Sequence, residues 1–265
     1  MLSHVLARNR AWLIAHADEL LAPEAASAFF ALARRRRDGE PVAYLTGVRE
    51  FWGLPLRVSP AVLIPRHETE TLVEVALAHL PSDRTTRVLD LGTGSGAVAL
   101  AIAQERPKAT VIATDVSPGA LELARENASS LAITNVQWLL SDWYAQLASD
   151  AGHFDAIVSN PPYVDAEDPH LSQGDVRYEP AHALTPGIDG LLALHRIIAD
   201  AAPRLREGGL VAVEHGYDQA EAVRTLFESS GYVGVRTARD LAGIERVTYG
   251  VRALSEGAGR RPDST

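Results

Sequence analysis

From Arg87 onward, short apolar blocks alternate with longer amphipathic ones. Short blocks apolar throughout suit strands buried on both faces, and amphipathic blocks suit helices laid over them. Val88 to Leu91 reads as the first strand and Ala97 to Gln104 as the helix after it. Val111 to Thr114 and Ala120 to Leu131 repeat the pair. Val136 to Leu140 and Phe154 to Val158 read as strands. Leu191 to Leu205 reads as a helix, Gly208 to Glu214 as a strand and Ala220 to Ser229 as a helix. Val233 to Arg236 and Arg246 to Val251 complete seven strands. Such a chain folds as α/β, with a doubly wound, mostly parallel sheet.

The residues before that pattern differ in kind. Residues 3 to about 37 read as helices, the first with Trp12, Leu13, Ala17, Leu20 and Leu21 on one face. Pro23-Glu24 opens the next, and Arg34 to Arg37 close it, as cations favoured by a helix C-terminus or as a docking patch. Val48 to Trp52, Gly53, then Leu54 to Val58 reads as a β-hairpin. Glu68 to Leu80 reads as an amphipathic helix with acids in its first turn. We therefore expect a helical N-terminal domain at 1–47, a hairpin linker at 48–66, a main domain at 67–254 and a disordered tail at 255–265, rich in Gly, Arg, Pro and Ser.

Bulk properties exclude several classes. No run of about 18 apolar residues exists, so no membrane-spanning helix is expected. The N-terminus lacks a signal-peptide pattern. The chain has no cysteine, hence no disulfide framework, thiol nucleophile or thiolate metal site. A cytoplasmic monomer is the expectation. With 34 acidic against 25 basic residues, the net charge of −9 disfavours a large nucleic-acid surface.

Chemistry concentrates where the expected strands end. The first runs into Asp90-Leu-Gly92-Thr93-Gly94-Ser95-Gly96-Ala97. Glycines let the backbone approach a ligand, and the following helix start offers free amides. The spacing also satisfies the dinucleotide fingerprint Gly-x-Gly-x-x-Ala. Asp115, at the next strand end, could accept hydrogen bonds from both hydroxyls of a ribose. Asp142-Trp143, after the third strand, could bracket an adenine by hydrogen bond and stacking. These features suit a nicotinamide cofactor and S-adenosylmethionine equally.

The fourth strand separates the two. It ends in Ser159-Asn160-Pro161-Pro162-Tyr163. Each residue before a proline is pushed to extended geometry and each proline fixes its own φ, so this loop is stiff. The Asn160 side-chain oxygen and the Pro161 carbonyl could together accept two hydrogen bonds from one –NH2 group. Tyr163 could lie over the flat group carrying it. That is a clamp for a nitrogen nucleophile, not a platform for hydride transfer. Among the histidines, His215 follows a strand and reads as structural.

Taken together, the sequence resembles the class I methyltransferases, and within them the HemK/PrmC-type release factor glutamine methyltransferases. The stretches carrying the resemblance are Arg35 to Pro41, Leu45 to Trp52, Leu63 to Arg66, Asp90 to Gly96, Ser141 to Trp143, Ser159 to Tyr163, Gly174 to Pro180 and Glu214 to Gly216. The resemblance implies methyl transfer from S-adenosylmethionine to the glutamine amide in a Gly-Gly-Gln motif of a peptide chain release factor. It implies catalysis by Asn160 to Tyr163, with Phe51 and Glu179 bordering the acceptor. Cofactor contacts would come from Gly92 to Gly96, Asp115, Asp142, Trp143 and Asn160. Two departures stand out. His67 replaces the family's proline in Pro65-Arg-His67-Glu-Thr-Glu70, and the helical N-terminal segment is short by roughly two helices. Asn-Pro-Pro-Tyr also occurs in enzymes methylating adenine amino groups of nucleic acids, which gives the first alternative. A non-catalytic binding or assembly factor is the second.

Overall fold

The computed structural model describes residues 1–148, 153–187 and 189–254; the expected tail at 255–265 lies outside them. Four helices come first: α1 (Leu2–Leu6), α2 (Arg10–Ala15), α3 (Pro23–Arg37) and α4 (Val42–Thr46). A hairpin of β1 (Val48–Phe51) and β2 (Leu54–Arg57) follows, then α5 (Glu70–His79). The alternating part runs β3 (Arg87–Leu91), α6 (Ala97–Glu105), β4 (Thr110–Asp115), α7 (Pro118–Ser130), β5 (Val136–Leu140) and β6 (Phe154–Ser159). It ends with α8 (Leu192–Ala201), β7 (Leu205–Glu214), α9 (Ala220–Ser229), β8 (Tyr232–Arg239) and β9 (Glu245–Arg252).

The seven-stranded sheet has the order β5-β4-β3-β6-β7-β9-β8. β3 pairs in parallel with β4 on one side and β6 on the other, and β4–β5 and β6–β7 are also parallel. Only β9 runs antiparallel, against both β7 and β8. The chain winds outward from β3 in one direction and then from β6 in the other. The switch point between β3 and β6 is where an open α/β sheet forms its crevice.

Each central strand feeds two cores by simple alternation. Val88, Ala156, Val158, Leu210 and Ala212 pack with Leu72, Leu100, Ile102 and the hairpin. Leu89, Ile157, Val211 and Val213 point the other way, against Leu194, Ile197, Ile198 and Phe227. Helix α6 is buried from Ala97 to Ala103, which is why its sequence is almost entirely Ala, Val, Leu and Ile.

The N-terminal segment departs from the sequence reading. The expected first helix is two short ones, because Ala7 turns left-handed at φ 50° and Asn9 caps a new start, its Oδ1 accepting from Trp12 N at 2.8 Å. Helix α2 stops at Ala15, so Leu20 is fully exposed in the connection rather than on an apolar face. Helix α4 was not expected. It brings Tyr44 onto Val58, Val62 and Ile64, so the stretch expected as linker is packed; Tyr44 Oη donates to Val62 O at 2.7 Å. Strand β7 begins three residues before Gly208, with a register irregularity opposite Phe154 and Ala156. The long connection after Tyr163 carries short 3-10 turns at Pro169–Ser172, Val176–Tyr178 and Ala181–Ala183.

Candidate active site

Leu91 and Ser159 stand opposite one another in the parallel β3–β6 register, so Gly92 and Asn160 leave the sheet side by side. The glycine loop is tied down at once: Gly92 N and Thr93 N both donate to Thr114 O, at 2.9 and 2.8 Å. Its three glycines do different work. Gly94 has φ 57°, and a Cβ there would meet nothing within 4 Å, so its backbone lies open to the crevice. A Cβ on Gly92 would touch the Trp143 ring at 3.4 Å. Gly96 faces inward, where a Cβ would lie 3.1 to 3.2 Å from Leu100, Ala124 and Trp138. It permits close helix packing and does not line the crevice.

Three acids border this crevice. Asp115 is held by two backbone donors, Gly94 N and Ser117 N, each at 2.9 Å. Its fixed oxygens retain lone pairs to accept further hydroxyl donors. Asp90 is buried, and burial pushes its carboxyl up to about 7 against the stabilising bond from Thr93 Oγ1 at 2.6 Å. Asp142 sits at the rim, where Arg196 Nη1 reaches both its oxygens at 3.0 Å. Next to it Trp143 adopts φ 50°, unusual for a bulky residue, and its indole crosses Gly92.

A second cavity opens beyond Asn160. Pro161, Tyr163, Glu214, Gln219 and Arg246 line it, while Leu63, Arg66, Asn160, Pro162 and Ala183 border both cavities. Asn160 therefore stands in the partition. Its Nδ2 donates to Thr69 Oγ1 at 3.1 Å, which leaves Oδ1 as the end without a protein donor in that pair. Tyr163 is not free to swing: its hydroxyl donates to Glu214 Oε1 at 3.2 Å, and its burial, then the nearby Glu214 charge, raises its pKa. Burial also pushes Glu214 up to about 7.

Of the residues marked from sequence, Gly92 to Ser95, Asp115, Asp142, Trp143 and Asn160 border the first cavity, and Asn160 to Tyr163 the second. Phe51 and Glu179 border neither. Phe51 is fully buried in the core beneath the hairpin, because its strand presents that face to α5 and α6. The Glu179 side chain is wholly buried and instead grips Arg66, Nη2 to Oε1 at 2.6 Å, so it is Arg66 that reaches both cavities. His215 is structural: buried, with Nδ1 at 2.8 Å from Gly216 O and Nε2 at 2.9 Å from Thr248 Oγ1. The Gly216 carbonyl can only accept, which places the proton on Nδ1. Thr69, Asp90, Glu214 and Arg246 were not marked. Asp90 is the last residue but one of β3 and Glu214 the last of β7, close to the strand-end signal that exposed Asp115; Thr69 and Arg246 carry no local signal.

A glycine loop and an Asn-Pro-Pro-Tyr loop side by side at the switch point of this sheet are the arrangement of a class I methyltransferase. The "Methyltransferase small domain" family matches residues 67–177 and the "PrmC N-terminal domain" family residues 1–47. The chain is 52% identical over 250 residues to the release factor glutamine methyltransferase of Escherichia coli K12, covering 94% of this chain and 89% of the relative. It is equally identical to that of Xylella fastidiosa 9a5c, covering 94% and 90%. The chain belongs to the release factor glutamine methyltransferase family. In fold it is also similar to a 16S rRNA methyltransferase of T. thermophilus solved with AdoMet and guanosine, at a TM-score of 0.56 and 22% identity over 77% of this chain and 49% of that one.

Proposed function

We propose that this enzyme methylates the side-chain amide nitrogen of the Gly-Gly-Gln glutamine in a peptide chain release factor, using S-adenosylmethionine held in the first cavity. The observation carrying this reading is the place of Asn160, in the wall shared by the two cavities with its donor end already tied to Thr69. The residues of the first cavity suit that cofactor. Gly94 gives an open backbone edge, Asp115 fixed acceptors for ribose hydroxyls, and the buried Asp90 a carboxyl whose ionised form a bound cation would favour. The solved T. thermophilus neighbour carries AdoMet in the same fold.

S-adenosylmethionine supplies a methyl group on a sulfonium, whose departure needs no acid. The chain supplies orientation. An amide nitrogen is a weak nucleophile, since its lone pair is delocalised into the carbonyl. Asn160 Oδ1 and Pro161 O would hold its two N–H groups and aim the nitrogen through the partition. The N–H groups grow more acidic as the nitrogen forms its new bond, so the two hydrogen bonds tighten where catalysis needs them. Residues 1–47 would dock the release factor, since the acceptor must be delivered into the second cavity.

The test is label transfer from S-adenosylmethionine to purified release factor, with RNA and a glutamine-to-alanine release factor as controls. Asn160→Ala is expected to lower turnover by about 10²–10³-fold while cofactor affinity changes little. Asp115→Ala is expected to weaken cofactor binding instead. Near-normal turnover in the Asn160 variant refutes the clamp, and label on RNA alone refutes the substrate.

A further inference from the structure

S-adenosylmethionine carries one negative group, the carboxylate of its methionine part, beside an ammonium and a sulfonium. The two cations suit a cavity bordered by Asp90, Asp115 and Asp142. The carboxylate does not, since a like charge beside an acid is disfavoured. It needs a donor of its own.

We infer that Arg66 is that donor, and that its guanidinium binds the carboxylate of the cofactor where the first cavity meets the second. The inference rests on the cofactor reading proposed above. Among the described residues, Arg66 is the one arginine or lysine that borders the first cavity. Arg196 is turned onto Asp142, whose two oxygens it reaches at 3.0 Å, and does not border the cavity. His182 does border it, from an exposed position on the turn Ala181–Ala183.

Place and anchoring both select Arg66. The adenosine end of the ligand belongs with Asp115, Asp142 and Trp143. The sulfonium belongs near Asn160, where the methyl must pass through the partition, and the chain bearing the carboxylate continues from that sulfur. Arg66 stands in the same partition as Asn160. A guanidinium has five N–H donors in a rigid fork. Glu179 takes one of them, from Nη2 at 2.6 Å. Among the described residues no other acceptor meets the Arg66 side chain. The Glu179 side chain is wholly buried, while that of Arg66 keeps 33% of its exposure. Glu179 borders neither cavity, so the guanidinium stands between that acid and the ligand. The buried acid fixes the head, and the remaining N–H groups are left for a second carboxylate.

Calorimetry without any acceptor tests this. S-adenosylhomocysteine is compared with its decarboxylated analogue, which keeps the ammonium, on wild type and on Arg66→Met. The variant should bind S-adenosylhomocysteine about 10- to 100-fold more weakly and the analogue within about 3-fold of wild type, as for loss of a charge-assisted hydrogen bond. An equal loss for both ligands, or none for S-adenosylhomocysteine, overturns the inference. A wild-type protein that binds neither ligand overturns the cofactor reading instead. Should Arg66→Met fail to fold, a crystal structure of the wild-type protein with S-adenosylhomocysteine decides. The carboxylate within hydrogen-bonding distance of the Arg66 guanidinium is the expected result. A carboxylate resting on the glycine-loop amides or on His182, away from Arg66, overturns it.

Discussion

The Arg66–Glu179 pair offers a perturbation whose size follows from its burial. The Glu179 side chain has no exposure and the Arg66 side chain 33%, with 2.6 Å between them. Burial raises the Glu179 pKa, and the Arg66 charge is the main effect opposing that rise. Removing one partner of a buried pair costs about 3–5 kcal/mol, and the open arginine head places this pair near the lower end. Arg66→Met should therefore cost about 3 kcal/mol, a fall in Tm of about 6–12 °C for a chain of this size. The deficit has a sign in pH. Without Arg66 the buried acid is held protonated to higher pH, so its folded pKa lies further above the unfolded value. Stability is then lost as pH rises between those values, and the variant should approach wild type near about pH 5. Glu179→Gln should cost about 1 kcal/mol, since Arg66 can turn to water. The double variant should be more stable than Arg66→Met alone, with about 2 kcal/mol of coupling. Thermal denaturation of the four proteins from about pH 5 to about pH 8 measures this. A pH-independent deficit, or additive single effects, refutes the buried-pair argument.

Other outcomes follow from single sites. Asp90 and Glu214 are both held near 7 by burial, above their ordinary 3.8 and 4.5. The folded cofactor-free protein keeps protons there that the unfolded chain releases, so each group's contribution falls as pH rises toward 7, by of order 3 kcal/mol. Asp90→Asn should flatten the fall of Tm with pH; an unchanged slope contradicts the assignment. Gly39 has φ 105°, and a Cβ there would lie 1.9 Å from Arg177 Nη2. Gly39→Ala should cost about 1–2 kcal/mol and speed proteolysis of the connection after Tyr163, because Arg177 must leave Asp38 O. Proteolysis at the wild-type rate would show that contact to be dispensable.

The sheet was legible because buried parallel strands write themselves as short apolar blocks, and the strand ends carried Asp115, Trp143 and Asn160. Other features left no local trace. Gly94 and Gly96 share one motif, yet only the packing of Leu100, Ala124 and Trp138 shows which of them faces inward and which faces the cavity. Phe51 sits in a hairpin whose alternation marks one face as apolar without saying whether a core or a cavity lies beneath it. Thr69 meets Asn160 across 91 residues, a contact no periodicity encodes. The broken first helix was half legible: Asn9 is a good cap, but the left-handed Ala7 that makes the cap necessary is not visible in the residue type.

The arginine run at the end of α3 also changes meaning in the folded chain. Arg35 Nε and Nη2 close on the Glu40 carboxylate, and Arg36 Nη1 donates to Asp175 Oδ1 at 2.5 Å. Asp38 O accepts from both Arg177 Nη2 and Tyr178 Oη, each at 2.8 Å. Residues 175–178 are therefore fastened to the end of α3, and the next residue is Glu179, which holds Arg66 at the border of both cavities. Two segments that looked like separate motifs, Arg35 to Pro41 and Gly174 to Pro180, are the two halves of one joint. A helix end can shift relative to its partner only by breaking these bonds. The end of α3 is thus tied, through residues 175–179, to Arg66 in the wall of both cavities.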